Sequence, residues 1–319
     1  MSTESTLLVD KHLSYIVSLD TKKDTLEYWL TEHLRLSGLY WGLTALALLG
    51  RQNALPRDET IAFVRSCQHK NGGFGAAPGH DAHILNTGYA VQILALQDAL
   101  DEFDTELIAK YVAALQNRET GAFAGDEWGE TDTRFIYSAF NCLSLLGRLS
   151  LIDVPLSVSY ILSCQNYDGG FGLCPGAESH AGQIFTCIGV LAIAGKLDLI
   201  DRDVLGDWLS ERQLPNGGLN GRPEKLEDVC YSWWVLSPLA MIDRLGWIDA
   251  NGLARFILGC QDPEVGGIAD RPEDRADVFH TCFGITGLSL LGFKGLKEVD
   301  AVYCLPKDVV KRTFARYNK

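Results

Sequence analysis

The hydrophobic and polar positions of this chain recur along its length. The segments "FVRSCQHKNGGFG", "YVAALQNRETGAFAG", "YILSCQNYDGGFG", "WLSERQLPNGGLNG" and "FILGCQDPEVGGIAD" align on Gln68, Gln116, Gln165, Gln213 and Gln261, at intervals of 48, 49, 48 and 48 residues. A fixed period of this length marks a repeat architecture. The first segment of each unit is amphipathic: in "AFVRSCQ" the apolar Phe63, Val64 and Cys67 fall at helical spacing. After the glycine turn comes a second segment, as in "TRFIYSAFNCLSLLG", "GQIFTCIGVLAIAG" and "DVFHTCFGITGLSLLG", apolar nearly all round. That composition predicts a helix buried on every side. An earlier "SGLYWGLTALALLG", Ser37 to Gly50, matches these second segments and makes six. Alternating half-exposed and fully buried helices predict an outer ring wrapped around an inner one. About six such pairs can close into an all-α α/α barrel, or toroid, in place of an open solenoid. No long Pro/Ser linker divides the chain, so one domain over residues 1–319 is expected.

Glycine pairs at 72–73, 169–170, 217–218 and 266–267 follow no strand and carry no Lys-Ser/Thr, so they are turns and not phosphate loops. One unit departs from the pairing, with Gly121-Ala122 in place of Gly-Gly.

Composition narrows the function. The 319 residues are 47% hydrophobic and carry a net charge of −13, which argues against a phosphate-reading nucleic-acid surface. Nine cysteines without a tight framework, and a start (Met1 to Lys11) lacking a basic segment followed by an apolar one, point to a reduced, cytoplasmic protein. The apolar runs are far below the roughly 18–20 residues of a membrane span.

Aromatic residues concentrate on the second segments, among them Tyr40, Trp41, Tyr89, Tyr137, Phe185, Trp233, Trp234, Phe279 and Phe283. Many will fill core. A ring of six inner helices also leaves an axial cavity, and aromatic walls suit an apolar ligand. Ser37, Gly38 and Gly42 are small enough to leave room there.

The stretch 220–234, "NGRPEKLEDVCYSWW", carries the candidate chemistry. Asp228 precedes an apolar run and reads as an N-cap, as do Asp132 and Asp277 in other units. Asp228 and Cys230 cannot meet in mid-helix, where i and i+2 diverge, but can if Asp228 caps and Cys230 opens the first turn. Inner helices start at the same end of a barrel, so His280 of the next unit is expected beside them. A carboxylate, a thiolate and an imidazole are three ligands that zinc accepts, with a fourth position open, as in catalytic sites. Arg222 and Lys225 lie in the loop feeding that helix end, His180 precedes the inner helix of the preceding unit, and Tyr231 adds a hydroxyl. Cations at a helix N-terminus suit an anionic head group over an oily cavity. Apolar tail, polyanionic head and thiol-preferring metal together describe S-alkylation of a cysteine by an isoprenoid diphosphate.

At "GRPEKLEDVCYSWW", "ADVFHT" and the glutamine-punctuated repeats, from about Leu8 to Pro306, the chain resembles the β subunits of protein prenyltransferases, most of all the type II, or Rab, geranylgeranyltransferases. The resemblance implies one Zn2+ held by Asp228, Cys230 and His280. It implies diphosphate and substrate contacts from His180, Ala181, Gly182, Arg222, Lys225 and Tyr231, and lipid contacts from Trp234, Ser37 and Trp41. Implied partners are a helical-repeat α subunit, a Rab escort protein, Rab GTPases with C-terminal cysteines, and geranylgeranyl diphosphate; a need for Mg2+ is left open. The compact start, the Cys-Tyr-Ser-Trp-Trp run and the small Ser37 favour type II over the farnesyl and type I siblings. Two rivals stay in view. Terpene cyclases share barrel and repeats but need clustered aspartates that are missing here, and a non-catalytic helical scaffold would bind neither zinc nor lipid.

Overall fold

The computed structural model describes residues 6–21 and 23–318; the first five residues of the Met1–Lys11 stretch thus lie outside the described residues. Helices dominate. In chain order they are α1 (Val9–Thr21), α2 (Leu26–Leu30), α3 (Arg35–Leu48), α4 (Arg57–Ser66), α5 (Ile84–Leu96), α6 (Thr105–Ala114), α7 (Thr133–Leu145), α8 (Val154–Ser163), α9 (Ala181–Ile193), α10 (Arg202–Ser210), α11 (Tyr231–Trp234), α12 (Leu236–Met241), α13 (Ala250–Gly259), α14 (Val278–Leu290) and α15 (Lys307–Tyr317). A two-residue antiparallel pair, β1 (Val299–Asp300) and β2 (Leu305–Pro306), precedes α15.

The apolar segments form the inner ring. Helix α3 packs on α5, α5 on α7, α7 on α9, α9 on α11 and α12, these on α14, and α14 on α3, which closes the circle. The amphipathic segments α1, α4, α6, α8, α10 and α13 form the outer layer. Val64 of α4 is fully buried and Cys67 at its end nearly so, while Phe63 just before them is half-buried. The fold is an α/α toroid.

The repeated residues have specific structural roles. Asp104, Asp153, Asp201 and Asp249 cap the outer helices α6, α8, α10 and α13 through their carboxylates. Three of the repeat glutamines grip the backbone at the start of the next outer helix, whereas Gln165 donates to Gly169 C=O of its own turn at 3.3 Å. Gln116 accepts from Asp153 N–H and donates to Asp153 C=O, both at 2.9 Å, and Gln213 does the same at Asp249. Gln261 repeats the grip at the chain's beginning, accepting from Leu8 N–H at 2.8 Å and donating to Thr6 C=O at 3.1 Å, so α1 completes the outer ring.

The first glycine of each turn has positive φ, Gly121 included (83°), and presses on the next outer helix. A Cβ on Gly217 would lie 2.4 Å from Gly252 C=O. The second position of the pair tolerates Ala122, which is why the departure costs nothing in backbone geometry. Gly42 serves packing also: a Cβ there would meet Ile16 of α1 at 3.1 Å and Val278 of α14 at 3.7 Å, so its small size lets helices approach and does not widen the axis.

Inner helices start at one end of the barrel, tied by a recurrent bond from the opening N–H of each to a carbonyl in the following glycine loop. Leu36, Ile84, Thr133, Ala181 and Val229 donate to Ala76, Gly125, Leu173, Gly221 and Asp270 at 2.8–3.1 Å. The candidate residues gather at this end.

Candidate active site

The site is assembled from helix starts. Asp228 accepts from Cys230 N–H through Oδ1 at 2.7 Å, and the next turn is tight, with Ser232 N–H bonded to Val229 C=O and Trp233 N–H to Cys230 C=O. Asp228 therefore stands at the non-helical cap and Cys230 in the opening turn, on the same side. Pro238 has no N–H for the carbonyl of Trp234, and the inner helix divides at Val235 into α11 and α12.

On the adjacent α14, His280 faces them. One ligand atom from each of Asp228, Cys230 and His280 lies within 4.8 Å of the others. His280 Nε2 is 3.2 Å from Asp228 Oδ1, and its Nδ1 is 2.6 Å from Asp277 Oδ2. Asp277 also caps α14 through His280 N–H at 2.8 Å. Reading Asp277 as a cap is thus half its role: the same carboxylate fixes the imidazole so that Nε2 points at Asp228. A carboxylate on the distal nitrogen is the usual orienting partner of a metal-bound histidine.

Charges here are tuned by burial and by each other. Burial opposes ionisation of Asp228, but hydrogen bonds from His280 and Cys230 hold its carboxyl below the ordinary value. Burial likewise opposes a charged His280, yet the flanking Asp228 and Asp277 outweigh it and raise the imidazole to about 9. Burial, with Asp228 adjoining, pushes the Cys230 thiol well above its ordinary value. These preferences favour a proton on His280 and on Cys230 and a charge on Asp228. A divalent metal would replace those protons, and a soft thiolate with imidazole and carboxylate is a donor set that zinc accepts.

Next to this cluster His180 caps α9, its Nδ1 accepting from Gly182 N–H at 3.0 Å. Burial, and secondarily Arg222, hold His180 toward its neutral form. With Nδ1 an acceptor, the proton sits on Nε2, 3.3 Å from Tyr231 Oη. His180 thus donates to the phenol oxygen, and the Tyr231 O–H is left for an acceptor outside. Gly221 allows this, because a Cβ there would fall 2.3 Å from the Tyr231 ring. Ala181 N–H bonds the Gly221 carbonyl at 2.8 Å, joining the α9 start to the loop that carries Arg222 and Lys225. Arg222 pairs with Glu178. Lys225 is exposed, and its ammonium makes no ion pair among the described residues. The structure brings His180, Ala181, Gly182, Arg222 and Tyr231 together and places Lys225 in the same loop, tied to Arg222 through a backbone bond from its N–H to the Arg222 carbonyl at 3.4 Å. Gly221 and the second contact of Asp277 are the site features that sequence reasoning missed.

The sequence matches the family described as "Prenyltransferase alpha-alpha toroid domain" over residues 7–305. It is 55% identical to geranylgeranyl transferase type-2 subunit beta of Saccharomyces cerevisiae over 99% of both chains. It is 57% identical to geranylgeranyl transferase type-2 subunit beta 1 of Arabidopsis thaliana over 96% of this chain and 95% of that one. The chain belongs to the protein prenyltransferase β subunits. Among solved structures, Candida albicans protein geranylgeranyltransferase-I complexed with GGPP superposes with a TM-score of 0.87 at 22% identity, over 98% of this chain and all of that one. The type II terpene cyclase MstE from Scytonema reaches 0.60 at 14% identity, over 89% of this chain and 97% of that one, a likeness of fold alone.

In this β subunit aromatic contacts run round the inner ring. Tyr231 meets Trp234 at 5.7 Å, Trp234 meets Phe279 at 5.7 Å and Phe283 at 5.5 Å, Phe279 meets Trp41 at 4.9 Å, and Trp41 meets Tyr89 at 6.2 Å. Tyr40 stacks on Tyr89 at 5.1 Å, and Tyr137 and Trp233 flank Phe185 on the far side. Trp41, Tyr89, Tyr137, Trp234 and Phe279 are only half-buried although their helices are covered behind and on both flanks. The exposed side faces the axis. Ser37, one turn before Trp41, is buried and donates to Leu34 C=O at 2.9 Å. No helix among the described residues is long and apolar enough to cross a membrane.

Proposed function

We propose that this chain is the catalytic β subunit of a zinc-dependent geranylgeranyl transferase, moving a geranylgeranyl group from its diphosphate to cysteines near the C-termini of Rab GTPases in the cytoplasm. It would work with an α subunit and a Rab escort protein. The observation that carries the reading is the convergence of Asp228, Cys230 and His280 with Asp277 behind His280, at the mouth of an aromatic ring. Asp228, Cys230 and His280 would hold one Zn2+. Bound there, the ion would keep an incoming thiol as thiolate near neutral pH, where a free thiol of pKa about 8.5 is mostly protonated.

The remaining roles belong to the chain's own groups. A carbon–sulfur bond forms at C1 of the lipid as the carbon–oxygen bond to diphosphate breaks. Tyr231, its hydroxyl freed by His180, and the Arg222 guanidinium are set to receive the charge that develops on the leaving diphosphate. The half-buried rings from Trp234 to Tyr89 give the tail an apolar bed that excludes water.

The test is the metal content and transfer activity of the αβ complex, for wild type and Cys230→Ser. The expected result is about one zinc per complex in wild type, with both zinc and transfer lost in the variant at unchanged helical content. A variant that transfers at the wild-type rate would remove the metal from the mechanism.

A further inference from the structure

The loop that enters α9 is fastened from behind. In the five units with a glycine turn, the residue before the inner-helix cap is Ala82, Thr131, Ser179, Glu227 or Ala276. Among the described residues, Ser179 alone of these is bonded through its side chain to its own turn. Its buried hydroxyl donates to Asp168 Oδ1 at 2.8 Å and accepts from Asn166 Nδ2 at 3.0 Å. Asn166 also donates to Ala177 C=O at 2.8 Å. Asp168 accepts in addition from Gly170 N–H at 2.9 Å and from the Trp208 indole of α10 at 3.0 Å. His180 N–H bonds Phe171 C=O at 3.1 Å. The chain on both sides of Glu178 is thereby pinned, at Ala177 by its carbonyl and at Ser179 by its hydroxyl.

The two neighbours of Ser179 each reach across to the next unit. Glu178 pairs with Arg222, for which it is the one ion-pair partner among the described residues. His180 caps α9 and donates to Tyr231 Oη at 3.3 Å. Arg222 and Glu178 also act on the His180 proton in opposite senses, behind the larger effect of burial, so these groups share one neighbourhood. The two donors set toward a leaving diphosphate are therefore held by residues on either side of a single buried serine. The fold alone does not require such a tie. The caps His83 and Asp277, preceded by Ala82 and Ala276, are made without it.

We infer that Ser179, held by Asp168 and Asn166, is a positioning residue for the reaction, acting through His180 on Tyr231 and through Glu178 on Arg222. The inference rests on the proposed transfer reaction for what the two donors do, but not for how they are held. As the carbon–oxygen bond breaks, its electron pair stays on the oxygen. Donors must already face that oxygen for the charge to be met without rearrangement. A displacement of about 1 Å in a supporting residue can cost about a hundredfold in rate. Ser179→Ala leaves the cap and the ion pair chemically intact but releases the loop that carries both.

The experiment measures thiol transfer and equilibrium binding in the αβ complex for wild type, Ser179→Ala and Trp208→Phe. Each variant removes one hydrogen bond to Asp168, and Trp208→Phe is the control for a purely structural tie. Ser179→Ala is expected to lower kcat about tenfold, with KM for lipid diphosphate within about threefold and helical and zinc content unchanged. Trp208→Phe is expected to keep kcat. With Tyr231→Phe already present, Ser179→Ala is expected to cost no more than about threefold, because one of the groups it acts through is gone. Inorganic diphosphate, which presents the freed oxygen, is expected to bind about fivefold more weakly to Ser179→Ala. An unchanged kcat in Ser179→Ala, equal losses in the two variants, or an undiminished loss in the Tyr231→Phe background would overturn the inference. A wild-type complex that transfers no lipid, yet binds inorganic diphosphate in a way that depends on Ser179 and not on Trp208, would uphold the positioning and overturn the proposed reaction instead.

Discussion

At the scale of single residues, the site turns on groups that do two things at once. Asp228, Cys230 and His280 were legible in the sequence because the 48-residue register aligns their helix starts, and a cap followed by a first-turn thiol is a geometry that spacing can express. The double duty of Asp277 was not legible. As a cap it looks like Asp132, yet Asp132 turns its second oxygen to Arg134 at 2.7 Å, whereas Asp277 turns it to His280. The residues two and three positions on separate them, Arg134 and Phe135 after Asp132 against Phe279 and His280 after Asp277. Asp277→Asn isolates the second role, since asparagine caps as well as aspartate but cannot lend charge to the imidazole. The variant is expected to keep its thermal stability within about 0.5 kcal/mol while zinc affinity falls about 10–100-fold. Competition with a chelator measures the affinity. An unchanged zinc affinity would return Asp277 to the status of a cap.

At the scale of elements, helix type and order could be read from hydrophobic period, and the glycine turns from their punctuation. What the sequence withheld was the partner of Gln116, Gln213 and Gln261, because their grip spans most of a repeat or more. It also withheld the completion of the outer ring by α1, which precedes the first glutamine and lacks the period's markers. The α1 contact carries a titratable group. His12 is fully buried, its Nδ1 accepting from Gly267 N–H at 3.0 Å and its Nε2 2.9 Å from Gln261 Oε1. Burial is the main cause that holds its imidazole toward the neutral form, with Gln261 opposing. The folded state thus binds a proton less readily than the unfolded chain. The stabilisation is complete above the unfolded value of about 6.5 and is lost as pH falls below it toward the lowered native value. Hydrogen exchange of α1 should accelerate between pH 7 and pH 5 more than that of α8, which is tied by Gln116 and has no histidine in its contact. In His12→Gln the pH dependence of α1 should flatten. Equal acceleration of α1 and α8 would show that His12 does not govern the closure.

For the whole molecule, the distinction that matters is between a closed ring and an open stack of helix pairs. An open stack would put the metal ligands and the aromatic bed on a concave face, whereas closure encloses the bed and lets α14 stand against α3. The composition permits either, and a count of repeats alone cannot choose. The choice is made where the last repeat meets the first. Gly266, φ 83°, lies against the start of α1, and a Cβ there would come within 2.2 Å of Lys11 C=O. Gly50 offers a control, since its φ of 71° is also left-handed but a Cβ would meet nothing within 4 Å. Gly50→Ala is expected to cost about 1–2 kcal/mol, the backbone penalty alone. Gly266→Ala adds a clash with main chain that only a displacement of α1 relieves, and its cost is expected to be at least about twice as large, in the range of the more damaging point changes. Denaturant unfolding of the two variants beside wild type measures both. If closure couples the first and last repeats, wild type unfolds in one transition and Gly266→Ala shows an early loss of α1 before the rest. Equal costs and a single transition in both variants would mean that the seam contributes no more than any other turn, and that the inner ring alone holds the barrel shut.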